Sequence, residues 1–336
     1  MKIAVDAMGG DHAPQEAVAG AFRAAVEDGT EILLVGQPDV VTAELALLGD
    51  AKGRIEVVAA EEVVGMDEPA ITPLRKKRRS SIRICAELVR DGRAQAMVSA
   101  GNTGAVMIAA KMVIGTIPGV DRPALAAVFP SRSGRTVVLD VGANIDSKAE
   151  NLRQFAVMGH FYAQEVLRTA TPRIGLLSIG EEDVKGNDLT KEVFHVLKTT
   201  GLNFIGNCEG RDFFNGNVDV VVCDGFVGNV VLKAAESMAG LFGQMLRDGL
   251  SKSLRTRIGY ALAKPAFDEF RRQVDYTEYG AAPLLGLQGG CFIGHGSSNA
   301  KAVMNAVRRA VEFSAAELHQ KIGAKVAELQ KYDLGG

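Results

Sequence analysis

The sequence predicts an α/β protein: a three-layer αβα arrangement around a doubly wound, mostly parallel sheet. Short apolar runs of strand type alternate with segments of helical periodicity along most of the chain. Run after run ends in a loop of Gly with Asn, Asp or Ser, and a helix follows. With 336 residues the chain can bury a large core. A single α/β domain over 1–336 with a cleft is the expectation.

Hydrophobic residues make up 47% and charged residues 23%, the balance of an ordinary soluble protein. The 38 basic and 40 acidic residues give a formal net charge of −2, which offers no bulk attraction to nucleic acid. Any surface for a polyanion must be a local patch. Cys85, Cys208, Cys223 and Cys291 are scattered, with no C-x-x-C pair and no His at metal-ligand spacing. They read as reduced thiols, and no metal site is expected. A strand-like run follows Met1 at once and no apolar stretch reaches membrane-span length, so a cytoplasmic location is expected.

Lys2 to Val5 reads as a strand, and the loop Asp6-Ala7-Met8-Gly9-Gly10-Asp11-His12-Ala13-Pro14 leads into a helix that ends near Gly29. Glu31 to Val35 is a strand, Val40 to Leu48 a helix and Ile55 to Ala59 a strand. Glu61 to Ser81 breaks the rhythm with Pro69, Pro73 and the run Arg75-Lys76-Lys77-Arg78-Arg79, before a helix from about Ser80 to Asp91. That run is either a solvated face or a dock for an acidic partner.

The stretch Ala94 to Gly115 organises the rest. Gln95 to Ser99 is a buried-type strand, Met107 to Ile114 an apolar helix face, and Gly101-Asn102-Thr103-Gly104 turns one into the other. A helix start of this kind points free N–H groups and the positive end of the helix dipole at an anion. The chain then repeats the device. Ala124 to Phe129 and Thr136 to Val141 are strands around the turn Ser131-Arg132-Ser133-Gly134, and the second enters the loop Asp140 to Asp146 ahead of a helix from about Lys148 to Arg168. Arg173 to Ser178 leads into Gly180 to Asp188, Asn203 to Gly206 into Asn207 to Asp212, and Val218 to Cys223 into Asp224 to Asn229 with a long helix from near Asn229. Cys291 to Ile293 enters Gly294 to Asn299, and a final helix runs toward Leu329. Because loops at strand carboxyl ends gather where ligands bind in open α/β sheets, six or seven of them on one side of the sheet predict a polar, glycine-lined cleft.

Several chemistries lack their signatures. There is no early G-x-G-x-x-G with an acidic residue about twenty positions on, no G-x-x-x-x-G-K-[ST], no H-E-x-x-H and no G-x-S-x-G. What remains is an anion cradle with Lys185, His12, His295 and several carboxylates as participants. Lys185 stands beside Glu181, Glu182 and Asp183, so a surface ion pair competes with a catalytic role. Asp140 and Asp224 end strands ahead of glycines, where they bind a cation, orient a neighbour or cap a helix.

Six segments together resemble one family. VDAMGGDHAP at Val5 to Pro14, SAGNTGA at Ser99 to Ala105, DVGAN at Asp140 to Asn144, GEEDVKGN at Gly180 to Asn187, CDGFVGN at Cys223 to Asn229 and HGSSNAKA at His295 to Ala302 are similar to the bacterial phosphate acyltransferases of phospholipid synthesis. The resemblance runs in order along nearly the whole chain; one departure is Ser178, where Asn is expected. It implies transfer of a long-chain fatty acyl group from the thioester of acyl carrier protein to inorganic phosphate. The acyl phosphate then serves a membrane glycerol-3-phosphate acyltransferase. It also implies a homodimer without organic cofactor or metal, and a fold similar to phosphotransacetylases and the isocitrate and isopropylmalate dehydrogenases.

On this reading Ser99, Gly101, Asn102, Thr103, Gly104, Gly296, Ser297, Ser298 and Asn299 are expected to bind phosphate. Lys185, His295 and Asp224 are the catalytic candidates, with Lys185 placed at the tetrahedral oxyanion. Asp6, Gly9, Gly10, Asp11, His12, Asp140, Gly142, Asn144, Glu181 and Asn229 are expected to line the cleft, and Arg75 to Arg79 to dock the carrier protein. The segment 250–276 reads as a protruding amphipathic helical hairpin, where Leu254, Ile258, Leu262 and Phe267 alternate with basic residues around Pro265. Such a surface lies on an anionic membrane or packs in a dimer. Two other readings compete: a metal- and NAD-dependent decarboxylating dehydrogenase of similar architecture, and a non-enzymatic anion-binding protein.

Overall fold

A computed structural model describes residues 1–274 and 280–335, without the side chains of 268, 270–274 and 332–335. The end of the 250–276 segment, including Tyr276 and the side chains of Arg271 and Arg272, thus lies outside the described residues. The first half runs β1 (Lys2–Asp6), α1 (Gln15–Glu27), β2 (Glu31–Gly36), α2 (Pro38–Leu48), β3 (Ile55–Ala59), α3 (Thr72–Arg75), α4 (Ser81–Arg90), β4 (Ala96–Ser99) and α5 (Thr103–Ala109), which a π turn prolongs to Ile114. Next come β5 (Ala124–Ser131), β6 (Gly134–Leu139), α6 (Ala149–Glu165), β7 (Ile174–Leu177), α7 (Asp188–Lys198), β8 (Phe204–Cys208), α8 (Asp212–Asn215) and β9 (Val220–Val222). The chain closes with α9 (Gly225–Ser251), α10 (Leu254–Val274), β10 (Ala282–Leu285), β11 (Gly290–Ile293), α11 (Ala300–Ala315) and α12 (Leu318–Gly335).

Among the described residues the strands form one eleven-stranded sheet in the order β3-β2-β1-β4-β11-β10-β5-β6-β9-β7-β8. Alternate residues of a strand feed opposite faces: Ile32 and Leu34 of β2 join one core, Leu33 and Val35 the other. Helices α1, α6, α11 and α12 cover the first face, while α4 and α5 cover the second. Burial on both faces is what a mostly parallel sheet requires, so these strands read as nearly continuous apolar runs.

The sheet departs from the expectation in one decisive way. β10 is antiparallel to both β11 and β5, and β5 is antiparallel to β6, joined to it by the two-residue turn between Ser131 and Gly134. After that hairpin β6, β9, β7 and β8 are parallel to one another. Followed along the ladder, they run opposite to β1, β2, β3, β4 and β11. The glycine loops therefore do not share one side. Those after β1, β4 and β11 leave one rim of the sheet, and those after β6, β7, β8 and β9 leave the other.

Two element boundaries also differ. The long helix α9 starts at Gly225, four residues before Asn229, because Asp224 accepts from the N–H groups of Phe226 and Val227, at 3.0 Å each. The protruding hairpin is accordingly α9 with α10 rather than 250–276 alone, and α10 continues through Pro265. The last helical stretch divides into α11 and α12 at Glu317, whose φ is +50°.

The second rim is held by Asp140. Its buried carboxylate accepts from the backbone N–H of Leu125, Gly142, Ala143 and Asn144 and from Asn144 Nδ2, at 2.7–3.2 Å. Burial raises its pKa, and these hydrogen bonds oppose the rise. The first turn of α9 lies on this knot: a Cβ at Gly228 would sit 1.9 Å from the Asp140 carbonyl oxygen, so only glycine fits.

Asp140→Ala should lower stability by about 3 kcal/mol or more, since each buried N–H left unpaired costs ~1–3 kcal/mol. Leu254→Ala, at a site 75% exposed, should stay within about 0.5 kcal/mol of the parent. Urea unfolding of both variants checks the pair, and equal midpoints would show that the knot does not hold the rim.

Candidate functional site

β1, β4 and β11 are neighbours in the ladder and run parallel, with Ile3 opposite Ala96 and Ser99 opposite Ile293. Their outgoing loops, 6–14, 99–104 and 294–299, must therefore emerge side by side. The contacts bear this geometry out. Asp11 N–H donates to the Gly296 carbonyl at 2.7 Å. The Ser99 hydroxyl donates to Asp6 Oδ2 at 2.6 Å and accepts from Gly101 N–H at 3.1 Å. A Cβ at Gly9 would lie 2.6 Å from Asp6 Oδ2 and 2.7 Å from Gly101 N, so the first two loops touch backbone to backbone.

Asp6 and Ser99 are both fully buried beneath this contact. Burial pushes the Asp6 carboxyl up, against the lowering hydrogen bonds from Ser99, Ser81 and the backbone. These two residues hold the loops in place; they do not face the open side. Asn102 is similarly engaged. Its Oδ1 caps α5 by accepting from Ala105 N–H at 3.0 Å, and its Nδ2 donates to the carbonyls of Met66 and Glu68 at 2.8 and 2.9 Å. The 65–68 loop, which sequence reasoning did not assign to the site, is drawn in by this amide.

What the first rim presents outward is two helix starts with small hydroxyls. Thr103 opens α5 and is exposed, and Gly104 follows it half-buried. α11 opens after Asn299, whose Oδ1 accepts from Ala302 N–H at 3.0 Å. Ser297 is exposed and its Oγ lies 2.8 Å from His295 Nδ1, a nitrogen that also accepts from Ser297 N–H at 3.3 Å. Ser298 is 6% exposed, and among the described residues its Oγ has no hydrogen-bond partner. A buried hydroxyl without a partner is uncommon and marks a place where a polar ligand or water completes the structure. Asp11 and His12 are exposed at the mouth of the same rim, with Gly10 beneath.

The remaining predicted residues stand on the second rim. Asn144 is buried and donates to the Pro123 carbonyl and to Asp140, so both belong to the knot described above. Gly142 abuts the exposed Asn229 at the start of α9. Asp224 is the helix cap. Glu181 pairs with Arg211 at 2.5 Å, and Asp183 with Lys198 at 2.9 Å. Lys185 is exposed with no ion pair among the described residues; of the carboxylates expected to compete for it, Glu181 and Asp183 are paired elsewhere, while Glu182 stands beside it. Ser178 Oγ is buried nearby, also without a partner among the described residues.

The expected single cleft is thus two surfaces: Ser99 to Gly104, Gly296 to Asn299 and Asp6 to His12 on the first rim, Asp140, Gly142, Asn144, Glu181, Lys185, Asp224 and Asn229 on the second. The signal for the split was present in the Ser131–Gly134 turn, because two strands joined by two residues must be antiparallel.

No thiol is suited to nucleophilic work. Burial pushes Cys208 and Cys291 up to about 12 and Cys85 and Cys223 well above their ordinary value, so all four stay protonated near neutral pH. Among the described residues no three His, Cys, Asp or Glu side chains converge as metal ligands. No helix of the described residues is long and apolar enough to cross a membrane.

Known proteins resemble the chain over nearly its whole length. The family model described as fatty acid synthesis protein matches residues 1–321. A phosphate acyltransferase of Acidobacterium capsulatum is 51% identical over 326 residues, covering 97% of each chain. A phosphate acyltransferase of Pelotomaculum thermopropionicum is 50% identical over 336 residues, covering 100% of this chain and 98% of its own. In fold, the chain is similar to a phosphotransacetylase from Streptococcus pyogenes, with a TM-score of 0.66, 20% identity and 94% of each chain covered. The chain belongs to the fatty acid synthesis protein family, and it is an acyltransferase.

Proposed function

We propose that the chain moves a fatty acyl group from the thioester of acyl carrier protein to inorganic phosphate, and that the acyl phosphate feeds a membrane glycerol-3-phosphate acyltransferase of phospholipid synthesis. The observation that carries this reading is the Ser298 hydroxyl, buried and without a partner among the described residues, in the loop that leaves β11 beside its parallel neighbour β4. α5 and α11 both open on this rim, and a helix start suits a small anion; at α11 the N–H of Ala300 already donates to the Glu16 carboxylate. The names of the relatives, phosphate acyltransferase, agree with it.

In this reaction a phosphate oxygen held on the first rim attacks the thioester carbonyl carbon. The C–O bond forms, the C–S bond breaks, and the proton of the phosphate ends on the departing thiol. A thiol of reference pKa about 8.5 leaves without strong acid assistance. No enzyme nucleophile is needed, in keeping with the four protonated thiols. The developing oxyanion requires a cation or donors, and Lys185, exposed and without an ion pair among the described residues, is the group for it. His295 holds Ser297 beside the cradle, while Asn102 builds the cradle without lending its side chain.

Two further surfaces serve partners. Of the basic run, Lys77 is bound to Glu68 and to the Val63 carbonyl, and Arg79 pairs with Glu61 at 2.8 Å. Arg75, Lys76 and Arg78 remain exposed on the segment that Asn102 ties to the first rim, where an acidic carrier protein docks. On α10, Leu254, Ile258 and Leu262 are exposed beside Arg255 and Arg257, and Phe267 packs half-buried on Tyr260 with ring centroids 5.2 Å apart. This face meets an anionic leaflet, each basic residue contributing roughly 1 kcal/mol.

Lys185→Ala should reduce turnover about 100-fold or more with an unchanged circular dichroism spectrum, the usual loss for one oxyanion donor. Ser298→Ala should raise the KM for phosphate more than the KM for the acyl donor. Steady-state kinetics with acyl carrier protein substrate read both, and the reverse ranking for Ser298 would move phosphate to another loop. Reversing the charges of Arg75 and Lys76 should raise the carrier-protein KM, with the gap narrowing as salt is added; a KM that does not move returns the run to an ordinary solvated face. Ile258→Glu should float less with anionic vesicles than the parent, and equal flotation would remove α10 from the membrane.

A further inference from the structure

Lys185 closes a turn whose corner is Asp183 and Val184, its N–H donating to the Glu182 carbonyl at 3.0 Å. The segment around it is anchored at both ends. Where β7 leaves the sheet, Ser178 N–H donates to the Cys208 carbonyl at 2.8 Å; at the far end Asn187 Oδ1 caps α7 by accepting from Thr190 N–H at 2.9 Å. Between these anchors, among the described residues, one hydrogen bond reaches the backbone of 179–186 from outside the segment. It comes from Asn207, whose Nδ2 donates to the Glu182 carbonyl at 2.8 Å. A carbonyl oxygen has two lone pairs, so this one serves the Lys185 N–H and the Asn207 amide together.

The sheet sets Asn207 in that place. It stands opposite Leu176 in the β7–β8 ladder, and because its neighbour Cys208 feeds the second core, the Asn207 side chain turns to the first face. There it is only 8% exposed, and its Oδ1 has no partner among the described residues. Ser178 Oγ is buried and partnerless likewise, and a Cβ at Gly186 would come within 3.0 Å of it and 2.1 Å of Thr190 Oγ1. Burying an amide with one end unbonded costs stability, so packing alone would favour an apolar residue at this position. The bond to the Lys185 turn is what accounts for the amide. The ion pairs of the segment, Glu181 with Arg211 and Asp183 with Lys198, join exposed side chains, and such pairs fix little.

The turn also directs the lysine side chain. Its stem lies against Gly180, where a Cβ would be 3.1 Å from Lys185 Cγ and 3.5 Å from Cδ. We propose that Asn207 is a positioning residue for Lys185: by fixing the Glu182 carbonyl, it aims the ammonium at the place where charge develops on the thioester oxygen. Asn207 itself touches no substrate. Oxyanion donors act only when already aimed, and a misplacement of ~1 Å can cost about 100-fold in rate. The inference rests on the acyl-transfer reading above and on Lys185 within it. It adds a residue from another strand, to which that reading gives no role.

The test is a double-mutant cycle read as thiol release from acyl carrier protein substrate. Asn207→Ala should lower kcat about 10-fold or more while the KM for phosphate stays within about twofold of the parent. The variant carrying both Lys185→Ala and Asn207→Ala should be no slower than Lys185→Ala alone, because a residue that acts through the lysine then has nothing to act on. A double variant whose loss is the product of the two single losses would overturn the proposal, as would Asn207→Ala turning over at the parent rate. Asn207→Asp, which keeps the shape and removes the Nδ2 donor, carries the same cycle if the alanine variant loses the parent's circular dichroism spectrum. Lys198→Ala removes the pair with Asp183 and should stay within about twofold of the parent. A loss as large as that of Asn207→Ala would give the turn to its ion pairs instead. Failure of the underlying reading is recognised separately: Lys185→Ala as fast as the parent removes the lysine from the reaction, and a parent that releases no thiol when phosphate is added removes acyl transfer itself.

Discussion

Strand polarity governs this molecule. A parallel sheet directs all its carboxyl-end loops to one rim, and the antiparallel pairings of β10 and β5 divide that rim in two. Everything at the candidate site follows from which side of the division a loop occupies. The first rim collects N–H donors, hydroxyls and two helix starts. The second collects a cation, exposed apolar side chains and the root of a long helix.

The two rims are built by the same physical means. Each has a buried aspartate at the end of a strand, Asp6 or Asp140, that gathers donors from the loop beyond it. Each has a glycine at the close approach beside that aspartate: Gly9 lies against the Asp6 carboxylate and the Gly101 backbone, and Gly228 against the Asp140 carbonyl. The conspicuous carboxylates at these strand ends thus organise the scaffold. On the proposed reading the chemistry falls to backbone groups, small hydroxyls and Lys185. Asp224 belongs with the scaffold too, because its side chain is committed to the first turn of α9.

Much of this was legible in the order of residues. Alternating strands and helices, the capped start of α5 and the loop before α11 all follow from local pattern, because apolar periodicity and turn chemistry act over a few residues. The helix boundary at Asp224 was readable from its capping side chain, although the glycines behind it suggested a later start. What sequence pattern did not convey was long-range pairing. β10 is four residues long and begins after Gly280, and nothing local distinguishes it from loop. The recruitment of 65–68 likewise depends on one amide reaching more than thirty positions along the chain. The division between rims was encoded in the Ser131–Gly134 hairpin, yet its effect falls on strands far downstream.

The amide of Asn102 has a thermodynamic meaning beyond its contacts. By fastening the 65–68 segment and the first turn of α5 together, it fixes the cradle during folding, before any anion arrives. Immobilising a loose side chain at the moment of binding costs about 0.5–1.5 kcal/mol. A loop already rigid escapes that penalty, so whatever small anion meets it gives up none of its few contacts to ordering the chain.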